Sequence, residues 1–331
     1  MLLLLYDLAP PRSLLLDQKT TMALLKKKAV EGVLRPLLPS WRSAFAYGSG
    51  VFPQSDQKER RMLDVLIVVD DPVAWHRENL RRNRDHYSGL AIHPRIVTGL
   101  GNLGPGVYFN TAVSVDSEEW SSLKYGVASS KKFENDLRNW NHLYLAGRLH
   151  KPTLRLDDDS TFDEALSLNR RAAVAAALAR LPEEFTAPQL FAAISGLSYH
   201  GDTRFLFGGE DPQKIDNIVR HNLTHFIDLY DETAQQILCK PLTSQIFSQK
   251  HVHLDQHLPK PLRGCSKDEL SRRLRRRVAR SSIIQTLKGI LTAGPQKAVA
   301  YVKAKFDKAK QSSLTETTNH IGGNGGKGHD R

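Results

Sequence analysis

Two short segments limit the folds open to this chain more than anything else in it. The first is Phe45-Ala46-Tyr47-Gly48-Ser49-Gly50-Val51-Phe52, an apolar stretch that runs into a Gly-Ser-Gly turn. The second is Met62-Leu63-Asp64-Val65-Leu66-Ile67-Val68-Val69-Asp70-Asp71, a buried strand with one carboxylate near its start and two at its end. Glycine admits φ values that other residues resist, so the turn can aim several backbone N–H groups and a hydroxyl at one phosphate. A carboxylate on the neighbouring strand can hold Mg²⁺ against that phosphate. Each half has an ordinary reading, since Gly-Ser-Gly is a common turn and Asp70-Asp71-Pro72 ends a strand. Their separation lets the strand pair beside the turn, and this makes the combination informative.

Nucleotidyltransferases grip a nucleoside triphosphate with such a turn and strand. Their strand carries Asp-x-Asp or Asp-x-Glu, which puts both carboxylates on one face. Here the second position is Leu66, so Asp64 is left alone and another metal ligand has to come from elsewhere. A P-loop is excluded, because no Gly-x4-Gly-Lys-Ser/Thr occurs.

The 331 residues are enough for a substantial core and favour two domains. Lys plus Arg number 47 against 35 Asp plus Glu, a net +12, which fits nucleic acid, anionic lipid or a polyphosphate substrate. Much of the excess lies toward the C-terminus, as in Arg272-Arg273-Leu274-Arg275-Arg276-Arg277. In the helical region after residue 160 no stripe of exposed aromatics and arginines argues for base reading, and on the reading favoured below no nucleic-acid partner is expected. Two cysteines, Cys239 and Cys265, make neither a disulfide framework nor a Cys-based metal site, and point to a reducing compartment. No apolar run approaches the roughly 20 residues of a membrane-spanning helix, so any membrane attachment is expected to be peripheral. The leucine-rich N-terminus is not expected to act as a secretory signal and bears a weak likeness to an organellar transit peptide.

Along the chain, helix is expected over 22–40, strands over 45–52 and 63–69, and a polar helix over 74–85. Two further strands, 107–110 and 122–127, form a hairpin, and 133–149 is a helix. This gives a mixed α/β unit over 22–155. After Asp157-Asp158-Asp159-Ser160 the pattern turns helical, and 160–235 reads as a small helical, winged-helix-like unit. Residues 236–265 form an irregular connection. Residues 266–310 form basic helices, the first with Leu270, Leu274 and Val278 in one row, the second (296–310) with Val299, Val302 and Phe306. Such helices either dock on their own domain or lie on an anionic membrane with lysines reaching headgroups. The Gly-rich end, 311–331, is expected to be disordered.

At this point the motifs resemble those of the mitochondrial phosphatidate cytidylyltransferases. The resemblance is carried by Tyr47-Gly48-Ser49-Gly50-Val51-Phe52, Leu63-Asp64, and Trp75-His76-x-x-Asn79-x-x-x-Asn83-x-x-His86-Tyr87-Ser88. It continues through Gly106-Val107-Tyr108-Phe109-Asn110, Lys124-Tyr125-Gly126-Val127 and Asp136-Leu137-x-x-Trp140. Then come Leu143-Tyr144-x-Ala146-Gly147-Arg148-Leu149-x-Lys151-Pro152, Leu197-Ser198-Tyr199-x-Gly201-Asp202-x-Arg204 and Lys288-Gly289-x-x-Thr292-Ala293-Gly294. The resemblance implies an α/β (α+β) chain: a nucleotidyltransferase-fold domain, a helical winged-helix-like domain, and a C-terminal amphipathic helix. It implies peripheral attachment to the matrix face of the mitochondrial inner membrane. The implied reaction is CTP plus phosphatidic acid giving CDP-diacylglycerol and pyrophosphate with Mg²⁺, toward phosphatidylglycerol and cardiolipin.

On that reading Gly48, Ser49 and Gly50 cradle the β- and γ-phosphates, Asp64 binds Mg²⁺, and Lys124 clamps phosphate. Asp64, Lys124 and Asp136 form the catalytic set, with Asp136 either the second metal ligand or simply a residue that caps or pairs within its helix. His76, Asn79 and His86 contact the nucleotide or else link loops, and Arg148 and Lys151 meet the phosphatidate headgroup. Two alternatives stay open: a nucleotidyltransferase acting on RNA or a small molecule, and an inactive membrane-bound adaptor of the same fold.

Overall fold

The computed structural model describes residues 12–56, 60–88, 91, 93–203, 213–244, 246–249 and 252–293, side chains at 12–19 and 290–293 excepted. The first half comprises α1 (Arg12–Leu37), β1 (Ser43–Tyr47), β2 (Arg61–Val69), α2 (Pro72–Arg82) and α3 (Pro94–Asn102). It continues with β3 (Val107–Val113), β4 (Trp120–Ser129), α4 (Ser130–Asn139) and β5 (Thr153–Arg155). The five strands make one mixed sheet in the order β3-β4-β2-β1-β5. β2 and β4 run parallel, and the other neighbours are antiparallel, including the expected β3–β4 hairpin.

Strand alternation explains why β2 is apolar on both sides. Leu63, Val65, Ile67 and Val69 pack with Val30, Leu34 and Leu38 of the α1 region and Trp75 of α2. Leu66 and Val68 face the other way, toward Phe45, Ala128 and Phe133. Asp64 shares this second face with Leu66 by its spacing of two. At the strand's end, Asp71 caps α2 by accepting from the Val73 and Ala74 N–H groups at 2.9 and 3.0 Å.

The helix expected over 133–149 stops at Asn139, because Trp140 adopts the left-handed region at φ 52°. Leu143 does the same at φ 52°. Between them and Arg148 the chain forms a loop that holds much of the site.

The second half contains α5 (Asp163–Leu178), β6 (Glu184–Phe185), α6 (Ala187–Gly196), α7 (Lys214–His221), α8 (Leu223–Leu238) and β7 (Phe247–Ser248). β6 and β7 pair as a two-stranded antiparallel ribbon. At the start of α6, the Gln189 side chain accepts the Thr186 N–H at 2.8 Å. Ala172–Leu178 of α5 are all buried, as expected of a helix apolar all round. One apolar cluster joins Phe45, Leu66 and Val68 of the sheet to Ala173, Phe191 and Phe226 of the helices. The compositional change near 157–160 is thus a change of element type over a continuous core.

The last helix, α9 (Lys267–Ala293), buries Leu270, Leu274 and Val278 and leaves Arg272, Arg276 and Arg280 outward. It docks along the fold as far as α3, where the Lys288 ammonium donates to the carbonyls of Gly101, Leu103 and Val107 at 3.3, 3.0 and 2.8 Å. The second basic helix expected over 296–310 and the tail over 311–331 lie outside the described residues, as do Arg204 and Gly294. Among the described residues no helix is long and apolar enough to cross a membrane.

Candidate active site

The turn and the carboxylate strand meet. Tyr47, the last residue of β1, pairs with Asp64, and the chain then turns at Gly48 with φ 77°. A Cβ on Gly48 would lie 3.3 Å from Asp64 Oδ2, and one on Gly50 would lie 2.3 Å from the Met62 carbonyl oxygen. Both glycines are therefore required for the backbone to pass this close to β2. The turn is fixed by Val51 and Phe52 N–H groups donating to the Gly48 carbonyl at 3.1 and 2.9 Å. The buried Trp120 indole adds a hydrogen bond to the Gly50 carbonyl at 2.8 Å. Ser49 stands half-exposed between the two glycines.

On the other side of Asp64, the parallel register places Lys124. Its ammonium is 3.2 Å from Asp64 Oδ1, yet that buried oxygen makes no aligned hydrogen bond. Burial is the largest single influence on Lys124 and opposes its charge, but the neighbouring groups, led by the Asp64 carboxylate, together more than offset it and hold the ammonium's pKa above its ordinary value. Lys124 lies over the Phe109 ring at 5.2 Å. That ring in turn lies over Gly126, where a Cβ would approach it to 2.5 Å. This is what the glycine of Lys124-Tyr125-Gly126 is for.

Arg148 closes the same face. Its Nε donates to the Tyr47 hydroxyl at 3.2 Å and its Nη1 to the Tyr144 carbonyl at 2.7 Å. The guanidinium stacks 3.9 Å from the Tyr144 ring and 5.4 Å from the Phe109 ring. Burial pushes the Tyr47 phenol up, so it meets Arg148 as a neutral acceptor. Gly147 lets the helical half come close, since a Cβ there would be 2.6 Å from that of Ser198. Lys151 spans this contact, donating to the Gly147 carbonyl at 2.7 Å and to Ser198 Oγ at 2.9 Å.

Asp136 does not fit the metal or catalytic role expected of it. Its Oδ1 accepts from the N–H groups of His142 and Leu143, at 2.8 and 3.0 Å. Its Oδ2 accepts from Tyr144, Leu145 and Ala146, at 3.0, 2.9 and 3.1 Å. Five backbone donors fill the lone pairs of a carboxylate that is only 2% exposed. Asp136 is an internal anion that shapes the loop between α4 and Arg148.

His76, Asn79 and His86 are brought together, but away from Asp64. Asn79 donates to the hydroxyls of Tyr87 and Tyr125 at 2.8 and 2.7 Å. His76 Nδ1 is 2.8 Å from the Tyr87 hydroxyl, and His86 Nδ1 is 2.8 Å from that of Tyr125. Tyr125 follows Lys124 on β4 and so points to the opposite face of the sheet. The expected nucleotide contacts from these three are replaced by a buried network between α2 and the back of the sheet. Burial there pulls His76 down to about 3 and pushes Tyr108 up to about 12, so both are neutral.

Sequence reasoning missed Trp120, Phe109 and the hydroxyl of Tyr47. The alternation in Tyr108-Phe109-Asn110 was the available signal, since it puts Phe109 on the face opposite its neighbours. Among the described residues, no group of three His, Cys, Asp or Glu is arranged to hold a metal by itself.

A family model described as phosphatidate cytidylyltransferase, mitochondrial, matches residues 30–261 and 262–308. The phosphatidate cytidylyltransferase, mitochondrial, of Bos taurus is 38% identical over 320 residues, covering 83% of this chain and 92% of its own. That of Xenopus laevis is 38% identical over 313 residues, covering 81% and 90%. The Saccharomyces cerevisiae protein of the same name is 34% identical over 295 residues, covering 87% and 72%. The chain belongs to the mitochondrial phosphatidate cytidylyltransferase family.

Proposed function

We propose that this chain transfers CMP from CTP to phosphatidate, giving CDP-diacylglycerol and pyrophosphate. The observation that carries the reading is the Gly48-Ser49-Gly50 turn held against Asp64, with Lys124 at 3.2 Å on the far side. The turn and strand within a mixed sheet support a nucleotidyltransferase fold over residues 22–155. The helices and the β6–β7 ribbon support a winged-helix-like unit over 160–235.

Phosphatidate arrives as an anion, so the chemistry needs alignment and charge neutralisation rather than a strong base. A phosphatidate oxygen attacks the α-phosphorus of CTP in line. The new P–O bond forms as the α–β bridging bond breaks, and its electron pair leaves on pyrophosphate. Backbone N–H groups of Gly48–Gly50 and the Ser49 hydroxyl bind the departing phosphates. Lys124, kept charged by Asp64, faces the charge that builds there. Arg148 and Lys151, at the junction of the two halves, hold the phosphatidate headgroup.

Asp64 suits Mg²⁺, because its buried Oδ1 has no aligned hydrogen bond and Mg²⁺ commonly takes one or two carboxylates with substrate phosphates and waters. When bound there, the ion would offset charge on the phosphate oxygens. Attachment to an anionic membrane surface is supported by the outward arginines of α9, and mitochondrial placement by the relatives' names. The inner membrane's matrix side and supply of phosphatidylglycerol and cardiolipin synthesis complete the proposal.

The test is incubation with labelled CTP, Mg²⁺ and phosphatidate liposomes. Label in lipid is the expected result. Label in RNA would favour the alternative nucleotidyltransferase, and liposome binding without product would favour the adaptor.

A further inference from the structure

The loop from Asn139 to Arg148 is held from two directions. Its N–H side is bound by Asp136 through five hydrogen bonds. Its carbonyl side is bound by α9, more than 130 residues later in the chain. Arg277 Nη1 donates to the carbonyls of Asn139 and Trp140 at 3.2 and 2.7 Å, and Ser281 Oγ to that of His142 at 2.9 Å. Asn169 of α5 adds a further tie, donating to the Ala146 carbonyl at 3.1 Å. The same loop contains two non-glycine residues at left-handed φ, Trp140 and Leu143. Such residues persist only where their surroundings over-determine the backbone. The loop's output is Tyr144 and Arg148, whose carbonyl and guanidinium meet at 2.7 Å before Arg148 reaches Tyr47.

We infer that Arg277, with Ser281, is a positioning residue for the transfer reaction: by bonding the loop's carbonyls it sets Arg148 against Tyr47, beside Asp64. The inference rests on the cytidylyltransferase reading and adds α9 to the machinery that shapes the site. Arg277 acts through Arg148 and touches no reacting atom. Its removal loosens the carbonyl side of the loop while Asp136 still holds the N–H side, so the loop shifts rather than unfolds. Small displacements of a substrate-holding group have large kinetic effects, on the order of 10²-fold for 1 Å.

The test compares the full-length wild type with Arg277→Met, which keeps much of the aliphatic stem, using CTP and a water-soluble short-chain phosphatidate. The expected result is a fall in kcat/KM on the order of 10–100-fold, with a modest lowering of the thermal transition because two loop carbonyls lose their donor. Amide hydrogen exchange at 142–146 should quicken in the variant. In an Arg148→Met background the same substitution should add little, because its effect runs through Arg148. Full activity in Arg277→Met, or a loss that multiplies undiminished onto Arg148→Met, would overturn the inference. If Arg277→Met does not fold, Ser281→Ala removes one hydroxyl from the same clamp and carries the same comparison. Absence of transfer by the wild type would instead overturn the reading of the reaction, and the exchange measurement would still report on the clamp.

Discussion

Asp64 and Lys124 face each other across the parallel β2–β4 pair, carboxylate to ammonium at 3.2 Å. The register alone puts them on one face, and the Gly48 turn closes over the carboxylate from the other side. Replacing Asp64 with Asn keeps the shape and removes the charge, so CTP-dependent product is expected to vanish while circular dichroism stays near wild type and thermal stability falls modestly, because Lys124 loses its carboxylate partner. Lys124→Met should lower kcat on the order of 10²–10³-fold, the usual effect of losing a group aimed at developing charge. It also strands a half-buried carboxylate, so a modest fall in thermal stability should accompany the kinetic loss.

Gly50→Ala tests the closeness of the turn to β2. The added Cβ would meet the Met62 carbonyl at 2.3 Å, and backbone cannot yield as a side-chain tip can. A loss of about 1–3 kcal/mol is expected in urea unfolding. Activity should be lost with it, because the Trp120 bond to the Gly50 carbonyl holds the same turn.

Much of this site is legible in the sequence, and the parts that are not share a physical cause. Turn, strand and Lys124 follow from local pattern, because alternation fixes which face a strand residue takes. His76, Asn79 and His86 sit on or just after a helix that packs on one side of the sheet, and the sequence does not say which. The fold chose the face of Tyr125, away from Asp64. Asp136 misled for a related reason. Its place in the family motif Asp136-Leu137-x-x-Trp140 implies a ligand or a residue that caps or pairs within its helix, but five N–H donors come from a loop shaped by left-handed Trp140 and Leu143. Neither residue type advertises that conformation. α9 was readable as a basic helix with an apolar row, whereas its bonds to the loop at 139–142 belong to tertiary packing alone.

Asp136→Asn separates a structural anion from a metal ligand. The amide group can accept with one oxygen only, which leaves at least two of the five N–H groups facing a donor. Stability should fall by roughly 3 kcal/mol, from unsatisfied buried donors at about 1–3 kcal/mol each. Any residual activity should show the same Mg²⁺ dependence as the wild type. A raised Mg²⁺ requirement without a loss of stability would restore the ligand role.

Two buried histidines give an acid-side signature. Burial holds His76 and His150 down to about 3, against an ordinary value of 6.5. Between those values the unfolded chain binds protons that the folded chain does not, so stability falls as pH drops through 6.5 toward 3. Each histidine contributes up to about 1.4 kcal/mol per pH unit in that window. Urea unfolding at pH 7, 6 and 5 should show the slope, and His76→Asn should flatten it by roughly half of the two-histidine contribution. An unchanged slope in that variant would place His76 outside the titration.

Pyrophosphate release from CTP, followed with and without phosphatidate alongside labelled CDP-diacylglycerol, tests the central claim most directly. Pyrophosphate and CDP-diacylglycerol should appear in equal amounts, only when phosphatidate is present, and not at all with Asp64→Asn. Pyrophosphate formed without phosphatidate, or equal product from Asp64→Asn, would contradict the account.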